Sequence, residues 1–169
     1  MALLEILQPP NPLLKTKAQP VDHIDDSLRR LAADMFETMY KAPGIGLAAP
    51  QVGVLQRMIV VDVADGEERR PMALVNPEIV WQSEELATAE EGCLSLPEQF
   101  ADVTRPSAVR VRFTTEHGKA RELPADGLLA RCLQHEVDHL DGILFVDHLS
   151  ALRRNMILRR LAKARRSRA

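Results

Sequence analysis

The chain has 169 residues, 46% of them hydrophobic and 27% charged, with a formal net charge of −2. That length suits a single catalytic domain spanning 1–169, able to bury about 70% of the surface its unfolded chain exposes, and the composition excludes a disordered, collagenous or disulfide-dense chain. Two cysteines, Cys93 and Cys132, are too few for a disulfide framework, no stretch approaches the roughly 20 apolar residues of a membrane-crossing helix, and the first ten residues lack the basic start of a signal peptide, so a cytoplasmic protein without membrane insertion is expected.

Asp25, Asp26 and Ser27 are cap candidates ahead of Leu28, Leu31, Ala32, Met35, Phe36 and Met39, whose spacing of three and four predicts an amphipathic helix ended by Pro43 and Gly44. Between Arg57 and Leu123 the texture changes to short β-rich runs, Met58–Val63, Met72–Val75, Glu78–Trp81 and Ala108–Thr114, separated by Asp-Gly, Asn-Pro and His-Gly turns. A second helix is expected from Asp126-Gly127 to Asp141-Gly142, then a short strand near Ile143–Val146, then a third helix capped by Ser150. Helix, clustered strands, helix, helix is an α+β order with antiparallel sheet, because the strands are too close together for βαβ crossovers.

His135-Glu136-Val137-Asp138-His139 is an HExxH pattern. On a helix its two imidazoles diverge by about 40° and lie about 6 Å apart along the axis, so both can reach one cation. On the helical wheel Leu128, Leu129, Cys132, Leu133, Val137 and Leu140 form the buried arc, with Glu136 inside it and Arg131, Gln134 and Asp138 on the wet side. A buried glutamate is costly without a compensating group, and a cation with its water supplies one. HExxH provides two ligands, and a catalytic site needs a third while keeping one position open. Cys93, in Glu91-Gly92-Cys93-Leu94-Ser95, can supply it, although a lone thiol equally suits a small buried hydrophobe. His148 is the alternative third ligand, which would make the chain an HExxH metallopeptidase, and Cys132 is the only spare thiol for a structural four-ligand site.

Three segments in order resemble the peptide deformylase family: Gly44-Ile45-Gly46-Leu47-Ala48-Ala49-Pro50-Gln51-Val52-Gly53, then Glu91–Ser95, then Gln134-His135-Glu136-Val137-Asp138-His139-Leu140. The resemblance spans roughly Leu13 to Leu149. It implies an α+β fold with sheets packed around the HExxH helix, and one divalent metal ion held by Cys93, His135 and His139: Fe(II) in the cell, with Zn, Ni or Co as substitutes. It implies hydrolysis of N-formyl-methionyl nascent peptides to formate, with Glu136 moving the proton and with Gln51 and the Leu94 backbone N–H stabilising the oxyanion. Ile45, Gly46 and Gly92 would lie along the substrate, and Leu128 and Cys132 would wall the methionine pocket. Two positions depart from the family pattern: Phe100 where many relatives carry Arg, and Arg131 where they carry an aliphatic residue. Glu91 and Arg105 match a family ion pair, although an ordinary surface pair reads equally from sequence.

Residues 151 to 169 hold eight Lys and Arg and no acid, so the chain before Ala151 carries 14 basic against 24 acidic residues, a net −10. Arg153, Arg154, Arg159, Arg160, Lys163, Arg165, Arg166 and Arg168 surround Leu152, Met156, Ile157, Leu158 and Leu161, which predicts a basic amphipathic helix fraying into a charged end. A plain solvated face reads equally from this pattern; contact with ribosomal RNA, where the implied substrate emerges, is its functional reading, with membrane-surface binding as a lesser alternative.

Overall fold

The computed structural model describes residues 2–63 and 68–168. The Asp65-Gly66 turn expected from sequence lies outside the described residues. Helix α1, Asp26–Lys41, begins where Asp25 Oδ1 accepts the Leu28 N–H at 2.9 Å, the usual service of an N-cap carboxylate. Strands β1 (Gly46–Ala48), β2 (Met58–Val61), β3 (Met72–Gln82), β6 (Ala108–Thr114) and β7 (Ala120–Asp126) form an antiparallel sheet in the order β1-β2-β3-β6-β7. Strands β4 (Leu86–Cys93) and β5 (Leu96–Pro106) pair separately as a long hairpin.

Side-chain alternation along β2 explains the layers. Met58 and Val60 join Leu28, Ala32, Met35 and Met39 of α1 in one buried cluster. Ile59 and Val61 join Cys132, Leu133, Val137 and Leu140 of α2 (Gly127–Leu140) in another. The five-stranded sheet is thus covered by a helix on each face. A third cluster unites Leu96, Ala101 and Val103 of the hairpin with Phe145, Ile157 and Leu161, docking helix α3 (Ala151–Arg168) onto the hairpin. Ser150 accepts the Arg153 N–H at 3.2 Å, the expected cap.

Several expectations need correction. Asn76-Pro77 is not a turn: β3 runs through it with a register shift between Val75 and Glu78, Asn76 takes φ 51°, and its side-chain amide bonds both Val21 N and Val21 O. An Asn tolerates that backbone at a bulge. Residues 143–146 form no strand. Asp147 Oδ2 accepts the Leu144 N–H at 2.9 Å and closes a 3-10 turn over Phe145–His148. The wet side of α2 is in fact covered, because the hairpin lies against it: Gln134 is buried and Arg131 is largely so, while Leu128, expected in the core, is 56% exposed. Helix α3 spans Ala151–Arg168, and its apolar seam is narrow, with Leu152 and Met156 left outside.

Candidate active site

Four segments converge on one cavity of about 740 Å³. The start of β1 supplies Gly46, with Ile45 just before it, and the 3-10 turn after β1 (Ala49–Val52) supplies Gln51. The end of β4 supplies Gly92 and Cys93, the turn after it Leu94, and α2 supplies Leu128, Cys132, His135 and Glu136. Every residue read from sequence as catalytic or substrate-binding therefore lines this cavity. His139, one turn beyond His135, is 1% exposed and sits beside the thiol, with Cys93 Sγ and His139 Nε2 3.3 Å apart.

The donor atoms of Cys93, His135 and His139 all lie within 4.8 Å of one another, a group that could hold one cation. His135 Nδ1 faces Glu91 Oε1 at 3.0 Å, leaving Nε2 as the nitrogen free to serve a cation. Among the described residues, Glu136 Oε1 and His139 Nδ1 are buried without hydrogen-bond partners, as are Gln8 Oε1 and Glu37 Oε2 outside the donor group. Such orphaned polar atoms are rare in a settled interior, and the first two fit a site whose partner is an ion or water. His148, the alternative ligand, turns instead to Asp138 Oδ2 at 2.8 Å. Cys132 directs its thiol to the Ile45 carbonyl at 3.7 Å and does not join the cluster.

Electrostatics follow burial. Burial pushes Glu136 up to about 7, against the opposing pull of His135. Burial and the Glu136 charge push the Cys132 thiol up, so it stays protonated. Burial also lowers His139, reinforced by His135. Glu91 behaves oppositely: burial would raise it, but hydrogen bonds from His135 and Arg105 hold it well below the usual carboxylate range. Arg105 grips it bidentately, Nε to Oε2 at 2.6 Å and Nη2 to Oε1 at 2.9 Å, and both side chains are buried. The pair is an internal brace, with the fork geometry that suits Arg to a carboxylate, and not the surface pair that sequence equally allowed.

Gly46 has a spatial reason to be glycine. A Cβ there would lie 2.5 Å from Glu136 Oε2 and 2.8 Å from Cys132 Sγ. Phe100 packs its ring on the Gly92 backbone from the opposite strand and remains 60% exposed at the cavity mouth. Sequence reading missed Ser95, which is fully buried and accepts Gln51 Nε2 at 3.0 Å while Gln51 Oε1 takes the Ala48 N–H at 2.9 Å. Its place two residues after Cys93 was the available signal. Asp138, on the polar side of the wheel, accepts from Arg105 Nη1 at 2.9 Å and does not face open water alone.

Fold and site together define an α+β protein with a thiol-imidazole donor group beside a buried carboxylate. The family model for polypeptide deformylase matches residues 3–155. A peptide deformylase of Rhizorhabdus wittichii is 53% identical, the match covering 99% of this chain and 98% of the relative. One from Rhizobium meliloti is 50% identical over 99% and 97%. The crystal structure of peptide deformylase from Ehrlichia chaffeensis superposes with a TM-score of 0.95 at 38% identity, over 98% of both chains. One from the same organism in complex with actinonin gives 0.94 at 39%, over 97% and 98%. The chain belongs to the polypeptide deformylase family, and it is an enzyme. Membership supports removal of the N-formyl group from nascent peptides and implies a metal ion.

Proposed function

We propose that the chain is a metal-dependent deformylase, one catalytic unit, that hydrolyses N-formyl-methionyl nascent peptides to formate and a free amino terminus. One arrangement supports this reading most: the mutual approach of Cys93, His135 and His139 donors beside a buried glutamate with an unpartnered oxygen, in a chain of this family. One thiolate and two imidazoles suit several borderline cations. Our assignment is Fe(II) in the cell, with Zn, Ni or Co as substitutes. Three protein ligands leave a coordination position open. When bound, the ion supplies an acidified water and polarises the formyl oxygen.

Glu136 takes a proton from the attacking water as its oxygen bonds the formyl carbon. It returns that proton to the amine nitrogen as the carbon–nitrogen bond breaks. A buried carboxyl next to both histidines on its helix is placed for both halves of this transfer. Stabilisation of the developing oxyanion is assigned to the Gln51 side-chain amide, whose Nε2 lies 3.5 Å from Cys93 Sγ, and to the Leu94 N–H, each such donor contributing a few kcal/mol. Gln51 is held for that task through Ala48 and Ser95. Ile45, Gly46 and Gly92 border the substrate backbone, while Leu128 and the neutral Cys132 wall the methionine pocket. A flexible, polarizable Met side chain suits that lining.

The deciding assay gives protein loaded with Fe(II) or Ni(II) a formyl-Met peptide and compares formate release with Glu136→Ala. Absence of metal-dependent formate would overturn the assignment. Cys93→Ser and His139→Ala should each lose bound metal.

A cytoplasmic site of action accords with the substrate, and among the described residues no helix is long and apolar enough to cross a membrane. The exposed Arg153, Arg159, Arg160 and Lys163 of α3 support contact with ribosomal RNA phosphates. Deleting α3 would uncover the buried seam of Ile157 and Leu161. The cleaner test is the triple change Arg153→Glu, Arg159→Glu and Arg160→Glu, which should abolish ribosome co-sedimentation at low salt. Unchanged co-sedimentation would remove this reading.

A further inference from the structure

We propose that Arg131 is a positioning residue of the metal centre, tying the helix that carries His135 and His139 to both strands of the hairpin that carries Cys93. The inference rests on the ligand assignment above.

The three donors come from a hairpin and a helix, and the hairpin is tied by backbone hydrogen bonds to the five-stranded sheet only at its base, where Ser83 N–H meets the Ala108 carbonyl and Ser107 N–H the Glu85 carbonyl, at the end opposite Cys93. Cys93 ends β4 in the two-stranded sheet, and the histidines sit on α2, which packs on the five-stranded sheet. At the Cys93 end, where those bonds do not reach, side chains hold the thiol at its distance from the imidazoles. Arg131 stands one helical turn before His135, with its side chain 11% exposed. Its Nη1 donates to Glu91 Oε2 at 2.6 Å and to the Val103 carbonyl at 2.9 Å, and its Nη2 donates to the Ala87 carbonyl at 2.9 Å. Ala87 lies on β4 and Val103 on β5, so one guanidinium spans the hairpin.

Arg105 crosses the same gap in the other direction only through Asp138 on α2, its bond to Glu91 lying within the hairpin. It ends on carboxylates, which can rotate. Arg131 ends on two backbone carbonyls, which cannot. It also places a second cation on Glu91, whose other oxygen meets His135 Nδ1, and a partner on that nitrogen orients a ligating imidazole. A planar fork with five donors can serve all three acceptors together, and a lysine ammonium on a flexible stem cannot hold the same spread. The arginine at a position where an aliphatic residue was expected is thus a tether between the two halves of the ligand set.

The test uses full-length protein loaded with Co(II), which reports ligand geometry through its visible absorption bands. Release of Co(II) to EDTA is timed for wild type, Arg131→Met, Arg131→Lys and Arg110→Met, a control at an exposed arginine on β6. Changes to the outer partners of metal ligands cost about 10- to 100-fold in affinity. Arg131→Met should release the ion faster by about that factor, with shifted bands. Arg131→Lys should fall between it and wild type, and the control should match wild type. Unchanged release and bands in a cooperatively melting Arg131→Met overturn the proposal. If that variant does not fold, unchanged release and bands in Arg131→Lys do so. Wild type that retains no Co(II), or Cys93→Ser that retains it as tightly, instead removes the ligand assignment and this proposal with it.

Discussion

Gly46→Ala tests whether the carboxylate of Glu136 acts from one fixed place. Gly46 lies in β1 and is not among the glycines with positive φ, so alanine meets no backbone penalty. The conflict is spatial. The new methyl would stand 2.5 Å from Glu136 Oε2, 3.0 Å from its Cδ and 2.8 Å from Cys132 Sγ. Ordinary contact is about 3.5 Å, so the carboxylate must retreat by about 1 Å. It cannot do so freely, since Glu136 is 4% exposed and Cys132 blocks the neighbouring space. A misplacement of about 1 Å at a reacting group costs on the order of 100-fold in rate. We therefore expect the kcat for formate release from a formyl-Met peptide to fall about 100-fold, while bound metal, measured by atomic absorption, stays stoichiometric because no ligand is touched. A kcat within threefold of wild type would refute the idea that the Glu136 position limits the reaction.

Arg105→Leu leaves the buried Glu91 carboxylate short of its bidentate partner, and urea unfolding of the metal-free protein should show a loss of about 3 kcal/mol, the low end for a broken buried pair because Arg131 remains on Oε2. Leu161→Ala opens the cluster that docks α3 and should cost about 3 kcal/mol in the same assay, whereas Leu152→Ala, at an exposed site on the same helix, should change stability by less than about 0.5 kcal/mol. Tyr40 is pushed up to about 12 by burial and by its hydrogen bond to Asp62. The unfolded chain releases that proton near 10 while the folded one keeps it, so the stabilisation is complete below about 10 and is lost as pH rises through about 12. Tyr40→Phe should flatten this alkaline decline, read as urea midpoints between pH 9 and 11.5.

Much of the α+β layout was legible locally. The 3.6-residue rhythm of Leu28 to Met39 with Asp25 before it is complete within one segment, and helix α1 follows it. Strand β7 and the β4–β5 hairpin were not legible. Their sequences carry Pro124, Pro97 and Pro106 and few β-branched residues, and such prolines are tolerated only because these strands lie at sheet edges. The wheel of α2 misread Arg131, Gln134 and Asp138 for a related reason. A periodic pattern separates apolar from polar residues, but it cannot foresee a polar face covered by a second sheet that satisfies its hydrogen bonds.

The sequence by itself determined the chemical parts: two histidines one turn apart with a glutamate between them, a cysteine in a Gly-Cys-Leu-Ser turn, and a glutamine after a glycine-rich run. Residue type and short spacing carry that information, because helix geometry converts four residues into one turn. Only the tertiary structure decided that Cys93, 42 residues before His135, comes within donor range, that Ser95 holds Gln51, and that two arginines meet on Glu91. Those distances depend on how a hairpin and a helix from separate sheets dock, which long-range packing sets and no local pattern encodes.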